Sequence, residues 1–206
     1  MDHASLIRAA TQTLIDHVEE LTELDSAIGD GDHGLNMKRG ALAIQARLRD
    51  GKDAGSLNET LKGAGATCMS TIGGSSGPVF GTLLMTLARE LPPEPGPHDL
   101  AAALAAGIAS LTRLGKAEVG QKTLLDVLDP VQRLLAASDP GSADLEARVR
   151  QCALDSAAAT AAMDAIRGRA SFLGERALGH VDPGSRSMAL IIAAICDGLS
   201  EARTTS

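Results

Sequence analysis

Apolar side chains recur every three or four residues along most of this chain, and that period is typical of an α-helix. The first such segment runs from residue 4 to about residue 21, with apolar positions at Leu6, Ile7, Ala10, Leu14, Ile15 and Val18. The same spacing predicts helices over about 33–48, 56–71, 79–91, 99–114, 142–166 and 185–201, and another that begins near Asp126. The pattern therefore predicts an all-α protein of about eight helices and no strand.

Several boundaries of the predicted helices carry residues that suit them. Ser56 follows a turn over 51–55 and is placed to cap the third helix, and Pro78 suits the first turn of the fourth. Pro130 is expected to kink or interrupt the sixth helix early. The proline-rich segment 91–97 excludes a helix, and we interpret it as a connection because the helical pattern is the same on both sides. We therefore expect residues 1–206 to form a single domain.

Composition narrows the class of protein further. Only Phe80 and Phe172 are aromatic, although 44% of the residues are hydrophobic. The core must then consist of aliphatic side chains and many alanines, which favours closely packed helices over sheets. The formal charge of −7 argues against nucleic-acid binding, because that function requires a basic face.

The cysteines and the apolar runs indicate the cellular compartment in which we expect the protein. Cys68, Cys152 and Cys196 are odd in number and widely spaced, so we interpret them as buried, reduced thiols of a cytoplasmic protein, and a reactive thiol is the alternative. The longest apolar run, 188–196, is too short to cross a membrane. The charged residues throughout 1–26 are unlike a signal peptide.

The stretch 24–36 contains three carboxylates, three glycines, a histidine and an amide. Asp25, Asp30 and Asp32 offer the oxygen ligands that Mg²⁺ prefers, and without a cation three such groups would repel one another strongly. The glycines let backbone N–H groups approach a phosphate, and the helix predicted from His33 directs the positive end of its dipole to the same place. The residues alone also allow a solvated acidic loop in which Asp30 or Asp32 caps a helix.

Two other motifs are rejected for this stretch. Its glycines fit G-x-G-x-x-G with Asp53 downstream, but a dinucleotide site requires a preceding strand, and here the pattern predicts the end of a helix. An EF-hand requires glycine at loop position six and an acid at position twelve, where this chain has Leu35 and Ala41.

Three further glycine-containing loops interrupt the helices, at 73–78, 115–126 and 168–184. The first opens onto a helix and is a candidate anion site, and the second carries Lys116 and Lys122, which are either phosphate partners or solvated lysines. The third lacks clean periodicity, so we expect an ordered lid over about 167–184. In an antiparallel up-and-down bundle these three loops and the acidic stretch fall at one end, which predicts one composite site.

The four loops together resemble the L subunit, or nucleotide-binding domain, of dihydroxyacetone kinase. The resemblance spans nearly the whole chain and rests on LDSAIGDGDHGLNMKRG (24–40), GGSSGPVFG (73–81), GKAEVGQKTLLD (115–126) and GRASFLGERALGHVDPG (168–184). It implies an eight-helix antiparallel up-and-down bundle or barrel with ADP or ATP and two Mg²⁺ ions at one end.

The resemblance also implies roles for individual residues. Asp25, Asp30 and Asp32 would hold Mg²⁺ and, with His33 and Arg169, take part in catalysis. Residues from all four loops would contact the nucleotide: His33, Gly34, Leu35, Asn36, Ser75, Ser76, Gly115, Leu124, Arg169, Asp182, Pro183 and Gly184. His33 either hydrogen-bonds a phosphate or caps the second helix, and the resemblance favours the phosphate. The chain departs from common family residues at Val119, Leu124 and Phe172.

By resemblance, the chain is the nucleotide-binding half of a phosphotransferase that gives dihydroxyacetone phosphate. A separate K subunit would bind dihydroxyacetone, and ADP would be a resident cofactor recharged by an M subunit of the phosphotransferase system. The alternatives are an ATP-dependent kinase subunit for dihydroxyacetone or another small ketose or sugar alcohol, and a non-catalytic Mg²⁺–nucleotide module that regulates a partner. A plain helical bundle is the third hypothesis. Whether the chain forms a homo-oligomer is left open by the sequence.

Overall fold

Every regular element in residues 2–51 and 55–204, the part of the chain that the computed structural model describes, is a helix. The α-helices are α1 (His3–Asp16), α2 (Val18–Ile28), α3 (His33–Arg49), α4 (Leu57–Thr71), α5 (Ser76–Glu90), α6 (Pro97–Gly115), α7 (Leu125–Ala136), α8 (Leu145–Ala159) and α9 (Pro183–Thr204). Two 3₁₀ segments, Thr160–Ala162 and Arg169–Ala177, lie between α8 and α9. The prediction of an all-α fold is confirmed.

The helices form a closed ring. From α3 to α9 each helix packs against the next in chain order, and α9 packs against α1, which in turn packs against α3. The α2–α3, α4–α5 and α6–α7 junctions and the segment before α9 line one cavity. Successive helices therefore run in opposite directions, as an up-and-down bundle requires.

The predicted count of eight helices is not confirmed, because the first predicted helix is two helices. His17 leaves helical geometry (φ −104°, ψ 20°), and both its backbone N–H and its ring Nδ1 lie at hydrogen-bond distance from the Thr13 carbonyl, at 3.1 Å and 2.8 Å. That carbonyl is thus satisfied at the end of α1, and α2 begins at the next residue. Both α1 and α2 pack against α3 and α9, so together they occupy one place in the ring.

The cap predictions are confirmed, and Pro130 does not interrupt its helix. Ser56 caps α4 by accepting from the Glu59 N–H, and the Glu59 carboxylate accepts from the Ser56 N–H. Pro78 lies in the first turn of α5. Pro130 lies inside α7, which continues to Ala136. The burial of Val127, Leu128 and Val131 on the same helix offsets the cost of the proline.

One predicted turn is described only in part, because Lys52, Asp53 and Ala54 lie outside the described residues. Helix α3 ends before this turn, at Arg49, and α4 begins after it, at Leu57.

Aliphatic side chains fill the interior, as the composition predicted. Leu21, Leu128 and Val127 are fully buried, and Phe80 is 4% exposed, whereas Phe172 is 87% exposed. An apolar cavity of about 480 Å³ lies inside the ring. In the ranges that the structure describes, no helix is long and apolar enough to span a membrane.

Leu21→Ala is expected to lower the free energy of unfolding by about 2–5 kcal/mol, because it removes a fully buried side chain from the helix that carries Asp25. Urea titration followed by circular dichroism measures the change. Leu42→Ala is the matched control, since Leu42 is 45% exposed and its loss should cost less than about 0.5 kcal/mol. Equal destabilisation by the two variants would contradict this account of the core.

Candidate functional site

A cavity of about 380 Å³ opens where the four junctions meet at one end of the ring. Twelve of the fifteen residues that the sequence singled out for binding or catalysis line it: Asp25, Asp30, Asp32, His33, Ser75, Ser76, Gly115, Leu124, Arg169, Asp182, Pro183 and Gly184. They come from segments that are far apart in the sequence. The antiparallel course of the helices brings them together.

The acidic stretch forms the most charged wall of this cavity. Asp25 lies in the last turn of α2, and Asp30 and Asp32 lie on either side of Gly31, whose φ of +75° is left-handed. This turn brings one oxygen of each of the three carboxylates within 4.8 Å of the other two. Carboxylates at that separation repel one another, and their oxygens match the ligands of a hard divalent cation.

Asp25 also holds the start of the next helix. Its Oδ2 accepts a hydrogen bond of 3.1 Å from the backbone N–H of His33, the first residue of α3. Asp32 precedes α3 but makes no side-chain capping bond. The alternative of a solvated loop capped by Asp30 or Asp32 is therefore not what the structure shows, since Asp25 provides the cap from the preceding helix.

Arg169 reaches the acidic turn from segment 168–184, the lid that the sequence predicts. Its guanidinium forms an ion pair with the carboxylate of Asp30, and both side chains are substantially exposed, at 59% and 40%. A positive side chain thus lies beside the three carboxylates. Because the pair is solvated, it adds little stability by itself, and its significance lies in where it places the charge.

The imidazole of His33 lies buried between two other helices. Its Nε2 is 2.8 Å from the Ser187 hydroxyl on α9, and its Nδ1 is 3.2 Å from the Ser76 hydroxyl on α5. Burial lowers the pKa of His33, although the nearby Asp25 and Asp32 and the Pro183 carbonyl oppose this shift. A largely desolvated, neutral ring with both nitrogens hydrogen-bonded results.

Three of the predicted contact residues do not line the cavity. Gly34 faces α2, where a β-carbon would overlap the Val18 carbonyl and the Thr22 side chain. Leu35 is 57% exposed at the surface, and Asn36 is buried behind the loop at Gly73. Gly34 therefore permits the close approach of α3 to α2, and Asn36 supports the neighbouring loop.

Lys122 has neither of the two roles that the sequence suggested. It is 2% exposed, and its ammonium donates to the carbonyls of Thr160 and His180 at 2.7 Å and 2.6 Å. Its backbone is left-handed, with φ +60°. The strain and the burial of a charge are tolerated because this side chain connects the 115–126 loop to the base of the lid.

Two polar residues of the site were missed in the sequence. Asp126 accepts hydrogen bonds from the backbone N–H groups of Gly120 and Thr123 and so shapes the loop before α7. Ser187 is fully buried against His33. The sequence feature that could have identified Ser187 is its position five residues after Asp182, on the inner face of α9.

Asp182 stands at the start of α9 and accepts hydrogen bonds from the backbone N–H and the hydroxyl of Ser185, at 2.6 Å and 2.9 Å. Burial raises its pKa to about 6; the Ser185 hydrogen bonds and Lys122 oppose the shift, and Asp126 adds to it.

Comparison with known proteins yields consistent matches. A family model described as the DAK2 domain matches residues 27–197. The ADP-binding subunit DhaL of a PEP-dependent dihydroxyacetone kinase from Listeria innocua is 37% identical over 176 residues, covering 85% of this chain and 84% of that protein. The ADP-binding subunit DhaL of the PTS-dependent dihydroxyacetone kinase from Lactococcus lactis is 36% identical over 171 residues, covering 83% of each.

A solved structure shares the fold. The dihydroxyacetone kinase of C. freundii, in complex with AMP-PNP and Mg²⁺, superposes with a TM-score of 0.74 at 26% identity, over 97% of this chain and 33% of that one. The present chain thus spans about a third of that solved kinase chain.

The raised pKa of Asp182 predicts a pH dependence of stability. Because its folded pKa of about 6 exceeds the ordinary value of 3.8, the stability contributed by the neutral form is complete below pH 3.8 and is lost as the pH rises through 6. The free energy of unfolding of the native chain should therefore fall, relative to Asp182→Asn, by up to about 3 kcal/mol between pH 4 and 7.

Urea unfolding of both proteins across that range measures the difference. Asp139→Asn, at an exposed turn, is the control and should follow the native profile. Parallel profiles for the native chain and Asp182→Asn would show that Asp182 titrates normally.

Proposed function

The chain belongs to the DAK2 domain family, and from this premise we propose that it is the ADP-binding, nucleotide-carrying subunit of a dihydroxyacetone kinase. The observation that carries the proposal is the convergence of three carboxylates in the same cavity as the N-termini of α3 and α5. Carboxylates that hold a cation and backbone N–H groups that receive an anion together suit a Mg²⁺–nucleotide. The hypothesis of a plain helical bundle does not account for this combination.

We propose that the acidic turn holds Mg²⁺, with two ions as the expected number. Asp25, Asp30 and Asp32 are the ligands we assign, because their oxygens lie within 4.8 Å of one another and face the cavity. When bound, such ions neutralise phosphate oxygens and hold the transferred group in line with its acceptor. Asp25 keeps its second role and orients α3 towards the same point.

The nucleotide phosphates are assigned to the Ser75–Ser76 segment. Ser76 begins α5, so the backbone N–H groups of Ser76 and Gly77 have no partner within the helix, and Ser75 and Ser76 line the cavity. Gly115 and Leu124 border the side of the cavity where the base would lie, and Pro183 and Gly184 close it from α9. Arg169 adds a positive charge where negative charge develops during phosphoryl transfer.

The proposed reaction needs partners. We assign the nucleotide to the cavity of this chain and the acceptor to a separate K subunit that binds dihydroxyacetone. The names of the relatives, PEP-dependent and PTS-dependent, support a phosphotransferase-system M subunit as the phospho-donor that recharges resident ADP. All three cysteines are free; Cys68 and Cys196 are buried as predicted, whereas Cys152 is only partly buried. We assign a cytoplasmic location to the chain. An ATP-dependent kinase subunit for a small ketose is the alternative, since C. freundii kinase binds AMP-PNP.

Asp30→Asn is expected to weaken Mg²⁺-dependent ADP binding by at least tenfold, because it removes one of three converging carboxylates. Isothermal titration calorimetry with Mg²⁺ and with EDTA measures the affinity for ADP. ADP at a hundredfold excess over Kd should also raise the free energy of unfolding of the native chain by about 2.7 kcal/mol. Glu19→Gln, on the exposed side of α2, removes a carboxylate away from the cavity and should bind ADP normally. Metal-independent binding, unchanged in Asp30→Asn, would contradict the assignment.

Reconstitution tests the division of labour. The pure chain should not phosphorylate dihydroxyacetone, and activity should appear on addition of a K subunit together with a phosphorylated M subunit. ADP should remain with the chain through gel filtration if it is a resident cofactor. Turnover with K subunit and ATP alone would favour the ATP-dependent alternative. Turnover that is unchanged by Asp30→Asn in the reconstituted complex would favour a regulatory module.

A further inference from the structure

Lys122 connects two walls of the cavity that are far apart in the sequence. Its ammonium donates to the Thr160 carbonyl at the end of α8 and to the His180 carbonyl in segment 168–184, at 2.7 Å and 2.6 Å. The Lys122 side chain is 2% exposed, so water does not compete for these bonds. One buried cation is thus shared between the 115–126 loop and the segment that leads into α9.

Thr160 extends this connection to the start of α9. It is fully buried, its carbonyl accepts from Lys122, and its hydroxyl accepts from the backbone N–H of Asp182 at 3.0 Å. Asp182 stands directly before α9, whose first residues, Pro183 and Gly184, line the cavity. The position of this wall therefore depends on Thr160 and on the ammonium that holds it.

The 115–126 loop needs such an anchor because its backbone is strained. Lys116 and Lys122 are both left-handed, with φ of +50° and +60°, a conformation that is unfavourable for residues with a β-carbon. Asp126 shapes the loop from within, since its carboxylate accepts from the backbone N–H groups of Gly120 and Thr123. Lys122 ties the loop that Asp126 shapes to other segments of the chain.

We infer that Lys122 is a positioning residue that holds the 115–126 loop and the start of α9 at a fixed separation, and that this separation selects the nucleoside part of the ligand. Gly115 and Leu124 line the cavity on the loop side, and Gly184 lines it on the α9 side. A nucleoside between these walls contacts both. Loss of the ammonium leaves two buried carbonyls without their donor, and the two walls lose their common anchor.

The phosphate side of the cavity is held in another way. The acidic turn and the Ser75–Ser76 segment lie at the ends of α2, α3 and α5, whereas the two Lys122 hydrogen bonds go to the end of α8 and to segment 168–184. Removal of the ammonium is therefore expected to weaken binding of a nucleoside diphosphate more than binding of pyrophosphate. This consequence rests on the proposed function, whereas the connection between the two walls does not.

Amide hydrogen exchange of the ligand-free protein, followed by mass spectrometry, tests the connection. In Lys122→Met, the amides of 115–126 and of 178–184 should both exchange about tenfold faster than in the native chain, the loss expected from one hydrogen bond to a charged group. Peptides of α4 are the internal reference for opening of the whole fold. Unchanged exchange, faster exchange in only one of the two segments, or equal acceleration of α4 would overturn the inference.

Three further variants separate positioning from folding. Lys116→Met makes the same substitution in the same loop, at an exposed and left-handed residue, and should leave the exchange of both segments unchanged. Thr160→Val keeps the size of the side chain but removes the hydroxyl that accepts from Asp182, so it should accelerate 178–184 alone. If Lys122→Met does not fold, Lys122→Gln, which keeps an N–H donor, should accelerate both segments to a smaller extent.

Calorimetric titration with Mg²⁺–ADP and with Mg²⁺–pyrophosphate tests the functional consequence. Lys122→Met should raise the Kd for Mg²⁺–ADP about five- to tenfold and leave the Kd for Mg²⁺–pyrophosphate within about twofold of the native value. Thr160→Val in the Lys122→Met background should cause little further loss, because both residues hold the same wall.

Equal weakening of both ligands, additive effects of the two substitutions, or no binding of Mg²⁺–pyrophosphate to a native chain that binds Mg²⁺–ADP would contradict the selection of the nucleoside by Lys122. If the native chain binds neither ligand, the proposed function fails, while the exchange result still decides whether Lys122 connects the two walls.

Discussion

Mutual repulsion among three carboxylates is the constraint on which this end of the molecule depends. Asp25, Asp30 and Asp32 are held with oxygens within 4.8 Å of one another, a spacing that is unfavourable unless positive charge is close. The chain offers such charge from two sources, the N-terminal end of α3 and Arg169 of the lid. The carboxylate of Asp25 has two roles, because it belongs to the cluster and also fixes the start of α3. The acidic turn cannot be rearranged without moving that helix.

The closed ring explains how so short a motif becomes a site. Each wall of the cavity comes from a junction between antiparallel helices, so no single wall has to carry the complete chemistry. The opposite junctions, including the proline-rich connection between α5 and α6, lie away from the cavity and carry none of the predicted ligands. Packing of aliphatic side chains holds the ring, and the predicted ligands that line the cavity lie at one end of it.

Much of the fold followed from helical periodicity, since that pattern reflects which side of a helix is buried. The break at His17 did not follow from this pattern. It depends on a contact between the His17 ring and the Thr13 carbonyl, and the spacing of apolar residues carries no information about such a contact. The acidic turn and the Ser75–Ser76 segment were predictable, since residue type and helix ends suffice for them. Lys122 and Ser187 were not predictable as they stand, because their roles depend on carbonyls and rings that come from elsewhere in the chain. Leu35 and Asn36 show the reverse case: they share a motif with the ligands, but helix geometry turns them away from the cavity.

Segment 168–184, the predicted lid, is held to the body unequally along its length. Its C-terminal half is tied to the body by Lys122 at the His180 carbonyl (2.6 Å), by the Gly179 N–H at the Ala161 carbonyl (2.8 Å) and by the Asp182 N–H at the Thr160 hydroxyl (3.0 Å). Its N-terminal half presents Phe172 to solvent and contacts the acidic turn through the exposed Arg169–Asp30 pair. An ion pair in water contributes at most about 1 kcal/mol, so this half is the weaker one. The segment that carries Arg169 is therefore held to the acidic turn less firmly than Asp182 and the start of α9 are held to the body. A cation that binds Asp30 competes with Arg169 for the same carboxylate.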